Sequence, residues 1–179
     1  MTPRRVPARG LVLGAVVLAL AGCAGATSRT TFPPPGSTPG TPGADVDASV
    51  QQVIAALGAA GISAAPADRA FRPPEGPLLA AAPRALVQAT LATDPDPIWI
   101  VVYGLGSPQA AGTAAKDHAA WIASNPGRIN FAPGTKFVIQ VVGSTVVFFS
   151  WLPASSPDPG PATIANTLAA IGAEVPVPN

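Results

Sequence analysis

The chain of 179 residues carries ten basic and nine acidic side chains, a formal net charge of +1. Its length allows one domain with a hydrophobic core beside shorter terminal segments. One cysteine and one histidine exclude a disulfide framework within the chain and do not supply the usual ligand set of a zinc site.

Residues 1–22 have the pattern of a secretion signal. Arg4, Arg5 and Arg9 form a basic start, and an uncharged apolar run of ten residues follows from Leu11 to Leu20. This run is about half the length of a membrane-spanning helix, roughly twenty residues. It fits the apolar region of a signal peptide, about 7–15 residues. We therefore set residues 1–22 aside when predicting the fold.

The signal ends in Leu20-Ala21-Gly22-Cys23, an aliphatic residue, two small residues and the only cysteine. This stretch resembles the lipobox of bacterial lipoproteins. The resemblance implies that the Cys23 sulfur, a strong nucleophile near neutral pH, takes a diacylglyceryl group. It also implies cleavage between Gly22 and Cys23. The mature protein would then be held on the membrane by lipid and face outside the cytoplasm, on the cell surface or in the periplasm.

Two other interpretations of the signal remain open. The cysteine can be a chance neighbour of an ordinary secretion signal, which is then cleaved by another peptidase or kept as an anchor. Arg4-Arg5 also resembles a twin-arginine signal, although Pro7-Ala8 does not supply the apolar pair expected soon after it.

Cleavage before Cys23 changes the charge balance. Seven basic residues remain against nine acidic ones, a net charge of −2. A mildly acidic protein does not have the basic surface that nucleic acids require. The net negative charge also argues against electrostatic binding to anionic lipids beyond the anchor itself.

Residues 23–44 are predicted to form the lipidated cysteine and a tether. Ala24 to Ala44 contains five prolines, few apolar residues and almost no charge, a composition typical of disordered linkers. As a flexible coil its 21 residues would span about 25 Å. Residues 45–179 follow as a single globular domain held away from the membrane.

The first half of this domain predicts a helix and up to three strands. A helix over about 46–60 is expected, with Asp45 or Asp47 as its cap and Gly61 after its end. A short strand from Ile62 to Ala65 is less strongly indicated. The segments Ala85–Leu91 and Ile98–Tyr103 predict a hairpin whose loop is residues 93–97, rich in Asp and Pro.

The second half alternates helix, hairpin and helix. Ser107 is the predicted N-cap of a helix that ends at Asn125-Pro126-Gly127. Phe137–Trp151 is the strongest hairpin, with Gly143-Ser144 as a type II′ turn. Both its faces are largely apolar, which indicates central strands covered on both sides. A last helix is expected over about 159–171, capped by Asp158, before a tail from Glu174.

This order, α-(β)-β-β-α-β-β-α, predicts an α+β domain. We expect an antiparallel sheet of about four to five strands packed with three helices. The arrangement resembles small α+β domains of uncharacterised bacterial lipoproteins. That resemblance is architectural and implies no particular activity.

His118 is the one residue with a possible catalytic role. It lies on the apolar stripe of the helix that follows Ser107, together with Trp121 and Ile122. One interpretation is a ring packed between helix and sheet. The other is a general base in an envelope hydrolase, although no G-x-S-x-G elbow for a nucleophilic serine is present.

The other candidates are contacts with a ligand or partner. Asp94 and Asp96 could contribute oxygens to a calcium site, or simply form an Asp-Pro turn. Arg128 and Lys136 flank a loop that could contact a partner or be solvated. Four large aromatic residues could form a binding platform or belong to the core: Trp99, Tyr103, Trp121 and Trp151.

The sequence therefore predicts a membrane-anchored extracytoplasmic lipoprotein with a small binding or structural domain. We expect a monomer without cofactor, catalytic set or metal site, which contacts the membrane through the lipid on Cys23 and has a protein or envelope partner of unspecified identity. The alternative is an envelope-associated, hydrolase-like enzyme that uses His118.

Overall fold

The computed structural model describes residues 41–92, 94–155 and 160–178. These residues form six strands, five helices and a 3-10 turn at Pro153–Ser155. The strands are β1 Ser63–Ala67, β2 Arg84–Leu91, β3 Asp94–Gly104, β4 Lys136–Val142, β5 Thr145–Trp151 and β6 Ala173–Glu174. The helices are α1 Ala44–Ala59, α2 Pro77–Ala80, α3 Pro108–Ala123, α4 Asn125–Arg128 and α5 Gly160–Ala169.

All six strands form one antiparallel sheet in the order β1-β2-β3-β5-β4-β6. Helices α1 and α5 pack on one face, and α3 packs on the other with α2 beside it. The predicted α+β class is confirmed. The sheet has six strands rather than four to five because the C-terminal tail adds β6. There are five helices rather than the predicted three because α2 and α4 each add a single turn.

Helix α1 begins slightly earlier than predicted. Its N-cap is Gly43, without a side-chain cap, so the expectation that Asp45 or Asp47 caps the helix is wrong. Both carboxylates lie in the first turn instead, where they oppose the positive end of the helix dipole. Asp45 also accepts a 2.5 Å hydrogen bond from the Ser144 hydroxyl.

The connection between β2 and β3 is shorter than predicted. Leu91 pairs with Asp94 and Ala89 pairs with Ile98, with an irregular register between them. Residues 94–97 thus belong to the strand rather than to a five-residue loop. Prolines are tolerated there because a bulged segment makes fewer ladder hydrogen bonds.

The β4–β5 hairpin has the predicted register, in which Val142 pairs with Thr145 and Ile139 with Phe148. Gly143 has φ +57, whereas no described residue other than glycine has positive φ, as a type II′ turn requires. Phe148 lies in the core under α3, and Phe149 lies in the core under α1 and α5. The predicted cover on both faces is confirmed.

Helix α3 has the predicted N-cap, since the Ser107 hydroxyl accepts a 3.1 Å hydrogen bond from the Ala110 amide. Its predicted end is followed by the short helix α4. A Cβ at Gly127 would overlap the carbonyl of Trp121, so α4 approaches α3 closely only with glycine there. The predicted cap of α5, Asp158, lies outside the described residues.

Candidate functional site

The residues of the predicted anchor lie outside the described part of the chain. This applies to Gly22 and Cys23 and to the tether as far as residue 40. Among the described residues, no helix is both long and apolar enough to cross a membrane.

His118 is fully buried between α3 and the sheet. Its Nδ1 accepts a 3.1 Å hydrogen bond from the amide of Gly76, so the proton of the neutral ring lies on Nε2. That atom is buried and has no hydrogen-bond partner among the described residues. Burial lowers the pKa of His118 to about 4. This hydrogen bond joins Gly76 to α3 and occupies Nδ1, the basic nitrogen of the neutral ring.

Aromatic contacts complete the surroundings of His118. Its ring is stacked on Trp121 at 5.7 Å between centroids and meets Phe148 edge-on at 4.7 Å. The interpretation of His118 as a ring packed between helix and sheet matches this geometry. A substrate could reach the ring only after this cover moved.

Asp94 and Asp96 form a local turn contact at the start of β3. Asp94 Oδ1 accepts a 2.9 Å hydrogen bond from the Asp96 amide, the pattern of an Asx turn. Within the described ranges, no group of three or more His, Cys, Asp or Glu residues could hold a metal ion. The geometry here favours the turn.

Arg128 and Lys136 line a groove of about 930 Å³ between the segment that follows α4 and the C-terminal tail. The tail closes the other side through Glu174–Pro178. Ile129 lies on this groove with 83% of its surface exposed. The structure therefore brings the two basic residues and the C-terminal tail to one groove.

The four large aromatic residues do not form one platform. Tyr103 is fully buried under the segment between β1 and α2. Trp121 packs beside His118, with Phe131 edge-on to it at 6.3 Å. Trp151 packs against the core under α1 and α5, whereas Trp99 stacks on Phe71, which packs against the core under α3. The two half-buried indoles thus lie on opposite faces of the sheet, and both line the same cleft.

This cleft, called the β3–β5 cleft below, opens where the two central strands separate. The ladder between them runs from Gly104↔Thr145 to Val101↔Phe148 and then stops. In the same register, the next three residues of β3, Ile98–Ile100, would face Phe149–Trp151. The two segments pair with β2 and β4 on their other sides but not with each other, and a cavity of about 230 Å³ lies between them.

The described lining of the cleft is mainly aromatic. Among the described residues of this lining, five are aromatic and come from both faces of the sheet, two are serines, Ser150 and Ser155, and none is charged. Phe149 and Trp151 stack in parallel at 5.3 Å on one face. The aromatic lining residues are Phe71, Trp99, Phe148, Phe149 and Trp151.

One wall of the cleft comes from the irregular segment 68–76. Phe71 stacks on Trp99 at 5.6 Å between centroids, and the Arg69 guanidinium lies 5.3 Å from the same indole. The cleft therefore depends on where this segment is held.

A buried carboxylate holds the segment. Glu75, whose side chain is 1% exposed, accepts hydrogen bonds from Arg84 at 2.8 and 3.1 Å and from Arg72 at 2.7 Å. The Tyr103 hydroxyl donates a further bond of 2.7 Å to it. Burial, and then the negative charge of Glu75, raise the pKa of Tyr103 well above its usual value. The Tyr103 hydroxyl therefore keeps its proton at neutral pH and remains a donor to Glu75.

Sequence reasoning missed Glu75 because it lies in a proline-rich segment without periodicity. The available signal was one acidic residue among three arginines, at positions 69, 72 and 84. Comparison of the chain with known protein families, curated proteins and solved structures finds no match.

Proposed function

We propose that the chain is a membrane-anchored extracytoplasmic lipoprotein whose α+β domain is a binding module. The observation that supports a lipid anchor is the stretch Leu20-Ala21-Gly22-Cys23, which ends a segment with a basic start and an apolar run. Two acyl chains on one sulfur suffice for stable attachment, since each buried CH₂ contributes about 0.8 kcal/mol. The domain then needs no membrane contact of its own.

The binding role is supported by the β3–β5 cleft. Ladder pairing at the centre of a sheet normally satisfies the main chain, and here two central strands separate around a mainly aromatic space. Concave, mostly apolar sites with few polar groups are typical of small-molecule binding. The cleft is therefore the site at which we place the binding role.

The enzyme hypothesis remains an alternative, and His118 is the residue that tests it. An activity on envelope material that disappears in His118→Ala, with the circular dichroism spectrum intact, would support an enzyme. Because Gly76 occupies Nδ1, the binding proposal expects such variants to change stability rather than to remove an activity.

The anchor is tested by Cys23→Ser in the full chain. The wild type should partition into the detergent phase and incorporate labelled palmitate, because the thioether requires sulfur. The variant should do neither and should remain as unprocessed precursor. Ser28→Ala, five residues downstream, is the matched control and should behave as wild type. Palmitate incorporation by Cys23→Ser would contradict the assignment.

A further inference from the structure

The β3–β5 cleft has a chemical character that narrows its ligand. We propose that it binds a small neutral molecule with an aromatic ring and a hydrogen-bonding group. The inference rests on the proposed binding role and adds the class of ligand. It depends on the lining, the unpaired main chain and the size of the cleft.

The lining selects against charge. None of the described residues that line the cleft is charged, and a charge moved from water into an apolar site without a partner is strongly disfavoured. Arg69 lies over the Trp99 ring but is not among the residues that line the cleft, and Glu75 is hydrogen-bonded to Arg84 and Tyr103. A bound ion would therefore find no partner of opposite sign among the described side chains of the lining.

The aromatic walls favour a ring. Aromatic rings in offset-stacked or edge-to-face contact stabilise one another by more than the burial of their surface area alone provides. The indoles of Trp99, stacked on Phe71, and of Trp151 approach the cleft from opposite faces of the sheet. A planar ligand can contact both faces of the sheet in the gap between the strands.

The unpaired ladder supplies hydrogen-bonding groups. Across the cleft, the main chains of Ile98–Ile100 and Phe149–Trp151 make no pairs with one another. Such groups need a partner when water is excluded. A hydroxyl or N–H on the ligand can bond to them or to Ser150, which fixes its orientation.

The size limits the ligand to about one ring. The cavity of about 230 Å³ is smaller than the pockets of roughly 300–1,000 Å³ that hold drug-sized molecules. For fragments of this size we expect dissociation constants of about 1 mM. These are measurable by magnetic resonance.

The test uses the full lipidated chain in lipid nanodiscs, with its three tryptophans replaced by 5-fluorotryptophan. Benzyl alcohol, benzoate and benzylammonium are titrated as probes of matched size and different charge. Benzyl alcohol should shift the fluorine signals of Trp99 and Trp151 and leave Trp121, which lies outside the cleft, unshifted. Benzoate and benzylammonium should bind at least tenfold more weakly.

Two variants and one further probe complete the test. Ser150→Leu fills the cleft and should weaken benzyl alcohol binding at least tenfold. Ala154→Leu adds a leucine at an exposed position outside the lining and should leave binding unchanged. Hexan-1-ol, a chain with the same hydroxyl, should bind more weakly than the ring.

Three results would overturn the inference. The first is a fluorine shift at Trp121 as large as those at Trp99 and Trp151. The second is no shift at Trp99 or Trp151 when the benzyl alcohol concentration reaches 10-fold above the expected dissociation constant of about 1 mM. The third is tighter binding of a charged or linear probe than of benzyl alcohol. Lipidation of Cys23 is read from the same sample by mass, so a missing anchor is distinguished from a wrong ligand.

Discussion

Acidification should destabilise the domain through His118, the only histidine in the chain. Its pKa is about 4 in the folded protein, because the ring is buried, against about 6.5 in an unfolded chain. Between these values the unfolded state binds more protons than the folded state. Stability is therefore complete above pH 6.5 and decreases as the pH falls towards 4.

The magnitude follows from the two pKa values. Between pH 7 and pH 5 the linkage relation gives a loss of about 2 kcal/mol in the free energy of unfolding. Protonation also costs the contact with Gly76, since a protonated Nδ1 cannot accept the amide hydrogen bond. Segment 68–76 should therefore loosen first.

The assay is urea unfolding followed by tryptophan fluorescence at pH 7, 6 and 5. His118→Leu is the control, because a similar apolar volume without a titrating group should remove most of the loss. A wild-type stability that is constant from pH 7 to pH 5, or an equal loss in His118→Leu, would refute the reasoning. Either result would mean that the ring is accessible to water or that another group titrates.

Four further substitutions test the packing by urea unfolding. Glu75→Ala should lower the free energy of unfolding by about 3–5 kcal/mol, because it leaves the mostly buried Arg84 and the buried Tyr103 hydroxyl without their partner. Arg72→Ala should lower it by less than about 1 kcal/mol, because the Arg72 side chain is 51% exposed. Equal losses in the two variants would contradict the burial argument. Gln140→Leu should stabilise by about 1–3 kcal/mol, because both amide atoms are buried without a hydrogen-bond partner in the described chain, and a destabilised variant would show that the amide is bonded. Phe148→Ala should cost roughly 3–5 kcal/mol from the core under α3, and a loss below about 1 kcal/mol would rule out that core.

Local patterns predicted the parts of the fold that depend on neighbouring residues. The β4–β5 register followed from one turn glycine and from alternating apolar residues, because a hairpin with a two-residue turn admits little freedom. Ser107 and Pro108 located the start of α3 for the same reason. The α+β class then followed from the order of elements.

Contacts distant in sequence could not be predicted in this way. Glu75 acquires its role from Arg84 and Tyr103, which belong to two different strands, and no periodicity marks it. The strand β6 is two residues long and forms only because β4 offers an unpaired edge. The β3–β5 cleft exists because a ladder stops at Val101↔Phe148, and neither strand contains a signal for that.

The candidate site was predicted only in part. Trp99 and Trp151 were identified as aromatic candidates, but their common cleft depends on strand order. Arg128 and Lys136 flank a loop in the sequence, whereas their common groove also includes the proline-containing tail, which no local pattern connects with that loop. His118 was placed on the correct helix face, and its bond to Gly76 was not foreseeable.

The most direct test of the account is intact mass spectrometry of the mature protein, purified from its own membranes, with sequencing of its first peptide. The account predicts that the chain begins at Cys23 and that a diacylglyceryl thioether lies on its sulfur, with or without an acyl group on the amine. An unmodified N-terminus at any other residue, or an unlipidated Cys23, would contradict the lipoprotein assignment.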